Sequence, residues 1–203
     1  MAKKSMFRFN VKNLKYAVHN GSTYGSPVDL AYANSITLES DYDEEKLYGD
    51  GEVLGVLVSD KGKTGTLGVI DLDTDYEVAC GRLLEIDGGG YADIQQNKVV
   101  KHALYYEINA IEDGVEITIK NWLLGATTGK ASETYEQNQD SKNISNFEYS
   151  LSVLGEYLQN TAGSDDFVDA NGNKTKVFRI TKYPTDTGYA NFESAVPTPK
   201  KKA

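Results

Sequence analysis

Apolar and polar residues alternate along much of this chain. Phe147, Tyr149, Leu151 and Val153 fall on one face of an extended segment. Leu104, Tyr106 and Ile108 continue a row that starts at Val100 and includes His102. Val115, Ile117 and Ile119 form a third row, opposite Glu116, Thr118 and Lys120. A repeat of two sends successive side chains to opposite faces of a strand, so these runs predict strands with one buried face. Shorter runs predict strands at 12–18, 35–39, 53–59, 64–70, 131–136 and 176–183. Asn20-Gly21, Asp50-Gly51, Asp113-Gly114 and Asn171-Gly172 are pairs that tolerate positive φ and close hairpins. Their spread over the whole length predicts an antiparallel β fold.

The period changes once. Tyr76, Cys80, Leu83 and Leu84 recur at i, i+4, i+7 and i+8, a helical stripe within 74–85. Thr74 or Asp73 can cap its start, with Asp75 and Glu77 in the first turn. Gly88-Gly89-Gly90 then ends it. One helix flanking an antiparallel β-sandwich or barrel is the simplest arrangement of these elements. Residues 1–183 read as a single domain carrying an extended acidic loop at 40–51, and 137–145 as a polar loop. Residues 184–203, with Pro197 and Pro199 before three lysines, read as a flexible tail.

Composition agrees with strands. The chain has 203 residues, with 14 Tyr, 19 Gly and 4 Pro, and aromatic residues punctuated by Gly turns favour sheets. A core of this size closes without disulfides or metals. The single Cys80 excludes an internal disulfide and fits a reducing cytoplasm. Lys3 and Lys4 are followed by no apolar run of a secretory signal. The apolar runs are far shorter than the roughly 18 residues of a spanning helix.

Charge narrows the function classes. The net charge is −9, and five lysines (Lys3, Lys4, Lys200, Lys201 and Lys202) lie near the ends. Without them, 16 basic residues face 30 acidic ones. Nucleic-acid affinity rests on Lys and Arg neutralising phosphates, and the only arginines are Arg8, Arg82 and Arg179. Sequence-reading DNA binding is therefore excluded as a main activity. An acidic surface facing DNA repels it, which suits passage.

Motifs for chemistry fail on inspection. Asp71-x-Asp73-x-Asp75 opens like a calcium loop, but Tyr76 stands where Gly is needed and Arg82 where Glu should chelate. Asp169-x-Asn171-x-Asn173 fails at Lys174 and Ile180. The triple glycine lacks the Lys-Ser/Thr of a phosphate loop. His19 and His102 are far apart in sequence, and His102 in its apolar row reads as a hydrogen-bonded core residue. Cys80 falls on the buried stripe, and no strand–Ser–helix elbow surrounds a serine. No catalytic residue, metal or cofactor is expected. Trp122, beside Leu123 and Leu124, reads as core. In the acidic loop, Tyr42, Leu47 and Tyr48 are interleaved with Asp43, Glu44 and Glu45. Solvation needs no Tyr or Leu there, whereas Tyr buries area at interfaces at low entropic cost, so these six residues form a candidate inter-subunit surface.

The order of segments resembles the major tail (tail tube) protein family of long-tailed, non-contractile bacteriophages of Gram-positive hosts. The similar pieces are VKNLKYA at 11–17, TYGSPV at 23–28, ANSITLE at 33–39, EKLYGD at 45–50, GKTGTL at 62–67 and FEYSLS at 147–152. They span 8–183 in order, each short and degenerate, and the last 20 residues match nothing in that family.

The resemblance implies a structural β-sandwich or barrel-like subunit that catalyses nothing. Six copies would form a ring, and rings would stack into a tube that conducts DNA during ejection. It further implies the tape measure, tail terminator and distal tail proteins as partners, genomic DNA passing through without specific binding, and no membrane. The protein would sit in the virion tail after assembly in the host cytoplasm. An acidic lumen is implied too, for which Glu107, Glu116 and Glu148 are candidates by their position opposite apolar stripes. Two alternatives stay open: the tube subunit of a contractile tail or type VI-like device, and a soluble β-sandwich binding or adhesion module.

Overall fold

The computed structural model describes residues 6–30, 32–135, 146–158, 168 and 172–198. In chain order the elements are β1 (Met6–Val18), β2 (Val28–Asp29), β3 (Ala33–Gly49), β4 (Glu52–Val69), α1 (Thr74–Ala79), β5 (Leu83–Glu85) and β6 (Tyr91–Asp93). There follow β7 (His102–Glu112), β8 (Val115–Glu133), β9 (Phe147–Val153), β10 (Glu156–Tyr157), β11 (Lys176–Val177) and β12 (Arg179–Lys182). The fold is mainly β and antiparallel, with one short helix among the described residues.

The main sheet has the order β2-β1-β7-β8-β9-β4-β3, and β12 pairs with β8. A single row of paired residues crosses it: Val18, His102, Ala126, Val153, Lys63 and Ser40. On one side of that row β8 pairs with β7, and on the other with β9. β1 and β3, near the two ends of the order, approach each other, so the sheet rolls up. Leu14 and Tyr16 of β1, Leu104 and Tyr106 of β7, Tyr149 and Leu151 of β9, and Leu67 and Val69 of β4 fill its interior.

α1 plugs this roll. Asp73 is its N-cap and accepts from the Tyr76 backbone N–H at 3.0 Å. The Tyr76 ring meets Tyr16, His102 and Tyr149 edge-on, with centroids 4.8, 5.5 and 5.6 Å away. His102 Nδ1 lies 3.1 Å from the Val100 carbonyl, which can only accept. The ring therefore carries its proton on Nδ1, and Nε2 accepts from the Tyr76 hydroxyl at 2.9 Å. Thr128 Oγ1 completes the chain at 2.7 Å. Beside it Arg82 Nε donates to Glu77 Oε2 at 2.9 Å, and Arg82 Nη1 donates to the Gly129 carbonyl at 2.6 Å. A buried ion pair costs desolvation, which these bonds offset in part: among the described residues Arg82 Nη2 and Glu77 Oε1 are buried without a hydrogen-bond partner.

The outer face of β1, β7 and β8 is buried as well. Ala17, Ala103, Tyr105, Trp122 and Leu124 form a second core there, covered by Leu158 and Phe192. Residues 184–198 bind it as a strap. Trp122 Nε1 donates to the Phe192 carbonyl at 2.8 Å, and the Tyr189 hydroxyl donates to the Thr118 carbonyl at 2.7 Å. β7 is thus covered on both faces, as a central strand should be.

Several sequence expectations are corrected. The helix covers 74–79 only. Gly81, at φ 69°, follows its cap Cys80, and Leu83 and Leu84 belong to β5, whose hairpin with β6 turns at Gly88–Gly90. Two recurrences at i+7 and i+8 had extended the stripe across this break. The strands at 53–59 and 64–70 fall in one strand, β4, and 115–120 and 131–133 belong to β8, which ends at Glu133, short of the expected 136, itself outside the described residues. Residues 40–49 are not an irregular loop but the outer part of β3, paired throughout with β4. Residues 184–198 are no free tail, because their apolar side chains cover an apolar sheet face. The polar segment 137–145, Asn171 and residues 199–203 lie outside the described residues.

Two outcomes test this core. Burial holds the His102 pKa down, to about 4, so the fold favours the neutral ring. Its contribution is complete above the unfolded value near 6.5 and is lost as pH falls from there towards 4, where the unfolded chain binds the extra proton. The wild type should lose roughly 3 kcal/mol more stability over that window than His102→Gln, measured by urea melts at pH 7 and pH 4. Equal losses in both would contradict the neutral, buried ring. Separately, Phe192→Ala should cost about 3–5 kcal/mol and red-shift the emission of Trp122, the only tryptophan. An unshifted spectrum would mean that the strap does not cover it.

Candidate functional site

Beyond Lys63 the β3–β4 hairpin leaves the body of the sheet. β4 pairs with β9 only over Lys63–Val69, whereas its pairing with β3 continues to the Gly49–Glu52 pair. Residues 42–60 therefore form a two-stranded arm, both outer edges unpaired among the described residues, about 25 Å long at roughly 3.4 Å per residue. Asp50 (φ 51°) and Gly51 (φ 83°) make its tip, the positive-φ pair that a two-residue hairpin loop requires.

The arm carries exposed apolar side chains among charged ones on both faces. Tyr42, Glu44, Lys46 and Tyr48 stand opposite Asp60, Val58, Val56 and Val53 on one face. Asp43, Glu45 and Leu47 stand opposite Ser59, Leu57 and Gly55 on the other, where the bulged Leu54 side chain covers Gly49. Tyr48 is 68 % exposed and Leu54 is 74 % exposed, and Val53, Val56, Leu57 and Val58 are also exposed. An isolated hairpin of two strands is marginal in water, open edges invite pairing, and a contiguous exposed apolar patch marks an interaction surface. Lys61, the bulged residue at the base, pairs with Asp43. That link fixes the arm's root and leaves Glu44 and Glu45 with no ion pair among the described residues.

The six residues expected in this surface, Tyr42, Asp43, Glu44, Glu45, Leu47 and Tyr48, are thus brought together on one strand and are all exposed. The β4 half of the surface, from Val53 to Val58, was assigned no role by sequence. Its signal was an apolar run broken by Gly55, which a buried strand would also show.

The three candidate lumen acids are not brought together. Glu107 is buried under the strap and is removed from the set. Its carboxylate accepts from the Tyr105 hydroxyl at 2.7 Å and from Asn13 Nδ2 at 2.9 Å. Glu116 is exposed and accepts from Asn109 Nδ2 at 3.0 Å. Glu148 is exposed on β9 beside Ser132. These last two lie near opposite ends of β8.

Elsewhere the polar groups serve the fold. A cleft of about 960 Å³ opens between Tyr24, Glu156, Leu158 and Val196. The Tyr24 hydroxyl donates to Glu156 at 3.0 Å, and Lys101 pairs with the same carboxylate at 2.7 Å, so the acid is neutralised in place. Burial raises the Cys80 thiol pKa, which keeps it protonated. Among the described residues no three His, Cys, Asp or Glu side chains gather as metal ligands. No helix among them is long and apolar enough to cross a membrane.

No family model matches the chain, and no curated protein matches it. Among solved structures, it is similar to a chain of the anti-feeding prophage (AFP) baseplate, determined by cryo-EM with 6-fold symmetry. Identity is 11 %, the TM-score is 0.42, and the match covers 69 % of this chain and 86 % of that one.

Proposed function

We propose that this protein is a structural subunit of a phage tail tube, not an enzyme. Its copies assemble into stacked rings, six to a ring, that enclose a conduit for DNA. The observation that carries this reading is the arm: a paired ribbon with exposed apolar side chains on both faces and two open edges, projecting from an otherwise closed body. Such a ribbon is covered only when other chains pack on it. A ring supplies those chains, because heterologous contacts that close consume every exposed edge. The segment order resembling major tail proteins and the acidic body support the same assignment, since acidic walls repel DNA and let it slide. A soluble binding module would leave the arm uncovered.

Tyr48→Asp/Leu54→Asp/Val56→Asp tests the arm. All three sites are exposed, so stability should change by about 1 kcal/mol or less. The wild type should form rings or tubes at high concentration in negative-stain images, and the variant should stay a folded single subunit. Normal tubes from the variant, or a wild type that never associates, would overturn the proposal. The conduit has its own check. We propose that the faces bearing Glu116 and Glu148 look onto the channel. Glu116→Lys/Glu148→Lys should then assemble yet slow DNA release from otherwise normal particles, most strongly at low salt, because screening acts over about 8 Å at physiological ionic strength. Release at the wild-type rate would contradict this placement.

A further inference from the structure

The ion pair in the plug leaves atoms that the folded chain does not satisfy. Arg82 and Glu77 are both buried. Their contact is one-armed, with Arg82 Nε donating to Glu77 Oε2 at 2.9 Å. Arg82 Nη1 is engaged by the Thr128 carbonyl at 3.0 Å, Thr128 Oγ1 at 3.1 Å and the Gly129 carbonyl at 2.6 Å. Arg82 Nη2 and Glu77 Oε1 are buried without a partner among the described residues, and so is the Tyr149 hydroxyl.

These three atoms belong to one spot. In the planar guanidinium fork Nη2 points to the same side as the Nε–H, towards the carboxylate that Nε already holds. Glu77 Oε1 is the oxygen left over on that carboxylate. The Arg82 guanidinium carbon stands 5.2 Å from the ring centroids of both Tyr76 and Tyr149. Burial first, and then the Glu77 carboxylate, raise the pKa of the Tyr149 hydroxyl. That hydroxyl therefore stays protonated and lies close to Glu77, with no hydrogen bond of normal geometry joining them. A buried donor or acceptor without a partner carries its full desolvation penalty, and native cores hold few of them.

We propose that one resident water molecule is bound here, accepting from Arg82 Nη2, donating to Glu77 Oε1 and sharing a third hydrogen bond with the Tyr149 hydroxyl. The chemistry selects water over an ion. The Arg82–Glu77 pair is neutral as a whole, so it offers neither a cation nor an anion a net attraction. The three atoms need a ligand that donates and accepts at once. About three hydrogen bonds is also the usual number for a buried water. Glu77 belongs to α1 and Tyr149 to β9. The direct hydrogen bonds of Tyr76 tie the plug to β7 through His102 and to β8 through Thr128, and the water extends that tie to β9. This inference is independent of the tube reading.

A high-resolution crystal structure of the full chain tests the site without any substitution. An ordered peak should lie about 2.7–3.2 Å from all three atoms. A direct Arg82 Nη2–Glu77 Oε1 bond with no density between the groups would overturn the proposal, and so would a peak that refines as an ion. In solution, deuteron relaxation dispersion counts long-lived internal waters. Glu77→Leu/Arg82→Leu replaces the pair by apolar side chains, a change that buried pairs often tolerate, and should lower that count by one once circular dichroism has confirmed folding. An unchanged count in the folded variant contradicts the site. If that variant does not fold, Tyr149→Phe serves instead. It removes one of the three partners and should shorten the residence time of the water about fivefold or more. An unchanged residence time, or a wild type with no long-lived water at all, overturns the assignment.

Discussion

At Gly125 the backbone takes φ 63°, and a Cβ there would meet the Gly155 carbonyl oxygen at 2.6 Å. This close approach is where strand β8 changes partners. Before it, β8 carries β7 on one side and β12 on the other, and after it β9 replaces β12. β9 stops at Val153, and the chain turns away through Gly155, at φ 68°. Because β9 stops there, β4 has no second partner beyond Lys63 among the described residues. The arm is the consequence: two strands that continue past the end of their sheet. The same stop opens the side of β8 that β12 fills. The exposed ribbon thus depends on one constraint, the glycine contact that ends β9.

Rigidity of the body complements that exposed ribbon. The roll is plugged by α1 through Tyr76, which touches Tyr16, His102 and Tyr149 and is held by hydrogen bonds to His102 and Thr128. Outside, the strap covers Trp122 and Tyr105 and buries Glu107 among donors. The faces of β7 are therefore largely committed within the chain; exposed large apolar residues stand on the arm, at the β1 end with Phe7 and Phe9, and on the β5–β6 hairpin with Leu84 and Tyr91, among other sites. In the proposed ring, a subunit built this way would meet its neighbours as a preformed body.

What the sequence made legible was whatever has one buried face. The row Phe147, Tyr149, Leu151 and Val153 is buried as its alternation requires, and so is Leu104 with Tyr106 and His102. The cap at Asp73 and the burial of Tyr76, Cys80 and Trp122 were legible for the same local reasons. The interleaved apolar and acidic residues of the arm were legible in the sequence, but the strand they form was not. A ribbon exposed on both faces has no one-sided pattern, and Glu45 and Leu47 share a face there. Glu107 misled because an acid opposite an apolar stripe normally points to water. Here a segment more than 80 residues away covers it, through contacts that no local pattern records.

Amide hydrogen exchange across the arm measures the central claim most directly. In the free subunit, residues 42–60 have open edges and no covering body, so their amides should exchange within the fastest class, well ahead of β7 and β9. In the assembled particle the same amides should become protected by at least tenfold, while β7 and β9 stay as they were. Assembled particles whose arm amides exchange as fast as those of the free subunit would contradict the account.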